Sequence, residues 1–105
     1  MEYRFTNENF ESEVMRSDVP VLIDFFAQWC GPCRMMGPVV EKLAEEYEGR
    51  IKVGKIDVDE EPELAMRFGV QSIPSLFILK DGKIVDAING FIPKERLDMR
   101  LQAFA

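Results

Sequence analysis

Apolar residues along this chain fall into short blocks with two different periods. Pro20-Val21-Leu22-Ile23-Asp24-Phe25-Phe26-Ala27 is a nearly unbroken apolar run, the pattern of a strand covered on both faces. Met36, Val39, Val40, Leu43, Ala44 and Tyr47 then recur at helical spacing, with Glu41, Lys42, Glu45, Glu46 and Glu48 largely off that stripe. This predicts a helix from about residue 30 to Glu48, kinked at Pro38 and ended by Gly49. Ile51 to Asp57 alternates as a strand, with Ile51 and Val53, then Ile56 and Val58 after Gly54-Lys55. A short helix is predicted after Glu60-Glu61-Pro62, with Leu64, Ala65 and Phe68 apolar and Gly69 closing it. Ser75–Lys80 and Ile84–Ile88 are strands joined by Asp81-Gly82, a tight-turn dipeptide. Pro93 opens a last helix with Leu97, Leu101 and Phe104 on its inner face. At the start, Tyr3–Thr6 is a weak strand. A helix over about residues 8 to 16 follows it, capped by Thr6 or Asn7.

The order β-α-β-α-β-α-β-β-α predicts an α/β sandwich with helices on both faces of a central sheet. Its first three strands are joined through helices and are expected to be parallel, and its final hairpin antiparallel. The chain has 105 residues, 47% of them hydrophobic, which suits a single domain over residues 1–105 with a real core.

Composition narrows the chemistry. Nineteen acidic and 13 basic side chains, a net charge of −6, disfavour nucleic acid, whose phosphates need clustered Lys and Arg. No run is long and apolar enough to cross a membrane, and Met1-Glu2-Tyr3-Arg4-Phe5-Thr6 lacks the basic-then-apolar form of a signal peptide. The expectation is a soluble cytoplasmic monomer. Two cysteines and no histidine leave a zinc site short of ligands and a nucleophile without an imidazole base. A disulfide between residues three apart closes too short a loop to remove much unfolded-state entropy. Redox use of the pair remains.

Trp29-Cys30-Gly31-Pro32-Cys33 falls where the buried strand ends and the long helix begins. That end of an open α/β sheet is where ligands and chemistry collect. A helix N-terminus offers unpaired N–H groups and a partial positive charge, which favour a thiolate. Cys30, at or before the first turn, is therefore read as the attacking thiol. Cys33, one turn deeper and less exposed, is read as the thiol that resolves the mixed disulfide. Gly31 admits another backbone beside the sulfurs, and Pro32 stiffens the link between them. Trp29 is read as a contact surface beside the nucleophile. Met35 and Met36 are explained by packing, and metal binding is not expected.

With the motif placed, the sequence resembles the thioredoxin family over essentially its whole length. The resemblance is carried by Asp24-Phe25-Phe26-Ala27-Gln28-Trp29-Cys30-Gly31-Pro32-Cys33, Pro38, Lys55-Ile56-Asp57-Val58-Asp59, Ser72-Ile73-Pro74-Ser75, Lys80-Asp81-Gly82 and Gly90. It implies the thioredoxin fold: a five-stranded mixed sheet ordered 1-3-2-4-5 with two helices on each face. It also implies a cis peptide between Ile73 and Pro74 opposite the cysteines. A shallow apolar surface from Trp29, Gly31, Pro32, Val58, Ile73, Pro74 and Gly90 would take an extended substrate segment, bonded to the backbone at Ile73. The implied activity is reduction of client protein disulfides. No cofactor is bound, and electrons arrive from NADPH or ferredoxin through a thioredoxin reductase. Two residues depart from the family pattern: Phe26, where Trp is common, and Phe91, where a small residue is common.

Asp24 lies within an apolar run, so desolvation raises its pKa. The resemblance suggests that it relays a proton to Cys33; a purely structural buried carboxylate is the alternative. Lys55 is read either as the ion-pair partner of Asp24 or as a strand lysine with a solvated head. Three activities are weighed: a reductant, a dithiol oxidant or isomerase, and a protein clamp whose redox chemistry is incidental. Gly31-Pro32 between the cysteines, with no histidine there to favour the thiolate, supports the reductant.

Overall fold

The computed structural model describes all 105 residues. The strands are β1 (Glu2–Arg4), β2 (Val21–Phe26), β3 (Lys52–Asp57), β4 (Ser75–Lys80) and β5 (Lys83–Asn89). The α-helices are α1 (Gly31–Glu46), α2 (Pro62–Arg67) and α3 (Lys94–Gln102). The sheet runs β1-β3-β2-β4-β5. β1 and β2 both pair with β3 in parallel, while β4 is antiparallel to β2 and β5 to β4.

Every second residue of the central strands faces the same side, so the sheet separates two cores. On one side Leu22, Val53, Leu76 and Ile78 meet Met36, Val40 and Leu43 of α1 and Leu97 and Leu101 of α3. On the other, Ile23, Phe25, Ile56 and Leu79 meet Leu64 of α2 and Phe10 and Val14 of the first helical segment. Phe25, Phe68 and Phe77 pack ring on ring there, at centroid distances of 5.1–5.6 Å.

The first helical segment differs from the expected helix. Its regular part is a single π-helical turn, Glu11–Met15. Thr6 and Asn9 cap each other: the Thr6 N–H donates to Asn9 Oδ1 (2.7 Å) and the Asn9 N–H to Thr6 Oγ1 (3.3 Å). The wider turn still buries Phe10 and Val14. α1 ends at Glu46 and not Glu48, with Tyr47 at its C-cap. Pro93 is the N-cap of α3 and not its first residue. Asp81 and Gly82 take φ of 53° and 75°, as the hairpin turn requires.

β3 is the strand expected there, and its pairing with β2 is continuous from Lys52 to Asp57 through Gly54-Lys55. Val53, Lys55 and Asp57 share the α1 face, and Gly54 and Ile56 the other. Gly54 is required by close approach: a Cβ there would sit 2.8 Å or less from the Phe5 ring and from Tyr3 Cβ. Gly54→Ala is expected to destabilise the protein by about 1–3 kcal/mol through overpacking, read by urea denaturation. An unchanged midpoint would show that Phe5 moves aside without cost.

Candidate active site

β2 delivers the chain to the site and α1 begins there. Cys30 is the N-cap of α1, in extended conformation (φ −89°, ψ 114°), and its sulfur accepts the Cys33 backbone N–H at 3.2 Å. A sulfur thus occupies the capping position that a serine or aspartate oxygen usually fills. Pro32 lies in the first turn of α1, where its missing N–H costs no helix bond. Gly31 has open space around the position of a Cβ. Cys30 and Cys33 are joined in a disulfide, with Cα atoms 5.2 Å apart. The expected difference in exposure is absent: both cysteines are 5% exposed. Ala27 packs against both, and Phe26, Val58 and Ile73 flank them.

The loop before β4 faces the sulfurs. The Ile73–Pro74 peptide is cis, and Cys30 Sγ lies 3.8 Å from the Ile73 carbonyl oxygen. The Gly90 N–H donates to the Pro74 carbonyl at 2.8 Å, and Gly90 holds φ of 87°, which favours glycine. Trp29 is 68% exposed, and its indole N–H donates to Asp59 Oδ2 at 2.8 Å. Trp29, Val58 and Ile73 line a cleft of about 160 Å³ with Ala65, Val70 and Ser72. Phe91 is a large exposed apolar side chain next to Gly90. Asp59 was part of the motif in the sequence, but its hold on Trp29 joins two loops and has no local signal.

A second cleft, of about 180 Å³, opens at Cys33. Cys33, Arg34, Phe26, Ala27, Gly37 and Lys55 are among its walls. Asp24 stands beside Lys55 in the β2–β3 pairing. It is 1% exposed, and its Oδ1 has no hydrogen-bond partner. Burial pushes its pKa up to about 7, against the attraction of Lys55 and with a smaller push from Glu2. The Asp24–Lys55 ion pair, one of the two readings of Lys55, is not formed. The Lys55 ammonium lies 3.7 Å from Glu2 Oε2 and 5.0 Å from the centre of the Phe26 ring. It is therefore neither paired to Asp24 nor simply solvated. Nothing local in the sequence marks Glu2, because only the pairing of β1 with β3 brings it to Lys55.

A disulfide on the first turn of a helix, at the strand ends of an α/β sheet and beside an exposed apolar surface, is the arrangement of a thiol–disulfide oxidoreductase. A family profile described as Thioredoxin matches residues 2–103. The chain is 52% identical over 97 residues to Thioredoxin 1 of Nostoc sp., covering 92% of this chain and 91% of that one. It is 50% identical over 99 residues to Thioredoxin of Porphyra purpurea, covering 94% and 92%. It is 42% identical over 99 residues to Thioredoxin M4, chloroplastic, of Arabidopsis thaliana, covering 94% of this chain and 51% of that one. The chain belongs to the thioredoxin family and is a protein disulfide oxidoreductase. No helix is long and apolar enough to cross a membrane.

Proposed function

We propose that the protein reduces client disulfides with Cys30 as nucleophile and Cys33 as resolving thiol. The observation that carries this is the Cys33 N–H pointing at Cys30 Sγ from the first turn of α1. That donor and the helix dipole favour negative charge on Cys30, and Cys33 sits a turn behind it. The Cys30 thiolate attacks one sulfur of the client disulfide, whose other sulfur leaves as a thiolate and is protonated. Cys33 then loses its proton and attacks Cys30 Sγ. The Cys30–client bond breaks, the second client thiolate departs, and the Cys30–Cys33 disulfide closes. Two electrons have passed from the dithiol to the client.

Asp24 takes the Cys33 proton through water in the cleft that runs from Cys33 to Lys55. Its pKa of about 7 lets it exchange protons near neutrality. Lys55 moderates that acid from β3. The client chain lies across Trp29, Val58, Ile73, Pro74 and Gly90, and its backbone bonds to Ile73. Gly31 leaves room for it, and Pro32 holds the cysteine spacing. A thioredoxin reductase, supplied by NADPH or ferredoxin, restores the dithiol, and no cofactor is bound. The chain acts as one domain and as a monomer in the cytoplasm.

Insulin reduction by dithiothreitol tests the activity. Insulin precipitation is expected to run well above the uncatalysed rate when the wild-type protein is added. A rate equal to dithiothreitol alone ends this reading.

A further inference from the structure

Three charged side chains lie together on the α1 face of the sheet, and Glu2 alone among them has no part in the proton exchange. Glu2 on β1, Lys55 on β3 and Asp24 on β2 lie on the same face of three adjacent strands. Lys55 must serve two carboxylates and reaches only Glu2, at 3.7 Å. Asp24 Oδ1 and Glu2 Oε2 are both buried without a hydrogen-bond partner. Of the other charges nearby, Arg4 also attracts Glu2, from two residues along the same face of β1. Arg4 lies 3.8 Å from Asp57 and 3.3 Å from Glu60. Asp57 also accepts the N–H groups of Asp59 and Glu60. Arg34 of α1 donates to the Gln28 carbonyl. Glu41 of α1 repels Glu2, and on the β4 side Asp24 meets only apolar Leu76.

We propose that Glu2 is a positioning residue for the proton-exchanging acid: it draws the Lys55 ammonium toward β1, keeps Asp24 unpaired, and so controls when Asp24 releases its proton. This rests on the reading of Asp24 as the acid that serves Cys33. Burial raises the Glu2 pKa, against the attraction of Lys55. Glu2 therefore competes for Lys55 most strongly once it is ionised. Removing its charge acts on Asp24 twice in the same direction. It deletes a nearby negative charge and releases Lys55 to turn toward Asp24, and both favour the Asp24 carboxylate.

The test is the titration of the Asp24 carboxyl carbon, followed by NMR in the reduced full-length chain. Glu2→Gln is expected to lower the midpoint by about half a pH unit or more, roughly a threefold change in proton affinity. In a Lys55→Met background the same substitution should lower it by less than about half as much. Glu45→Gln, which removes an exposed charge from α1, should leave the midpoint in place. Cooperative thermal unfolding of each variant shows that it is folded, and Glu2→Leu provides a second probe if Glu2→Gln does not fold. A wild-type midpoint near 7 that Glu2→Gln leaves unmoved overturns the role of Glu2 and spares that of Asp24. An equal shift with and without Lys55, or with Glu45→Gln, overturns it as well. A wild-type Asp24 that does not titrate near neutrality overturns both.

Discussion

Cys30→Ser is expected to lower the rate of client disulfide reduction by at least about a thousandfold, because a serine hydroxyl is not ionised near neutrality and is a far weaker nucleophile toward sulfur. The fold should survive, since the capping position accepts an oxygen as readily as a sulfur. Cys33→Ser separates the two steps. Cys30 still attacks, now with no second thiol to release the client, so a mixed disulfide accumulates. Non-reducing gels of each variant with an oxidised client read the outcome directly. An adduct is expected for Cys33→Ser and none for Cys30→Ser. The opposite pattern would assign the attack to Cys33. An adduct with both variants would mean that the helix cap does not distinguish the thiols. The two residues are equally buried in the disulfide form, so exposure does not distinguish them. The difference assigned to them is electrostatic, from the Cys33 N–H that Cys30 Sγ accepts.

Asp24→Asn is expected to stabilise the protein by about 2–4 kcal/mol at about pH 8 and by little at about pH 4. The buried carboxyl keeps its proton to about pH 7 when folded, whereas its ordinary pKa is 3.8. Between those values the folded protein binds the extra proton, so stability falls as pH rises. Above about 7 the full cost of a buried charge is present, and below the ordinary value it vanishes. The difference of about three units corresponds to about 4 kcal/mol. Asparagine mimics the protonated acid at every pH and escapes the cost. Urea denaturation of both proteins across this range measures it. A gain independent of pH would place Asp24 in a different environment from the one described. The same substitution should slow resolution of the mixed disulfide more than its formation, as a site that trades stability for chemistry would. If both steps kept their rates, Asp24 would have no catalytic part.

Much of this was legible along the chain because it is local. The run from Val21 to Phe26 is covered on both faces, and the strand it predicts is the one observed. Asp81-Gly82 adopts the positive φ values that the dipeptide suggests. The placement of Cys30 at the cap of α1 follows from a strand giving way to a helix at that point. Where prediction failed, residues distant in sequence had intervened. The first helix widened into a π-helical turn around the burial of Phe10 and Val14.

By itself the sequence specified the elements, the turn and cap residues and the position of the two sulfurs, since these depend on neighbours within a few residues. Tertiary structure alone decided which charges meet. Glu2 reaches Lys55 because β1 lies against β3, Trp29 reaches Asp59 across two loops, and Asp24 is left without a partner. Such pairings follow from strand order and register, which a few ångströms of backbone placement determine, and Coulomb and desolvation energies vary steeply over that distance.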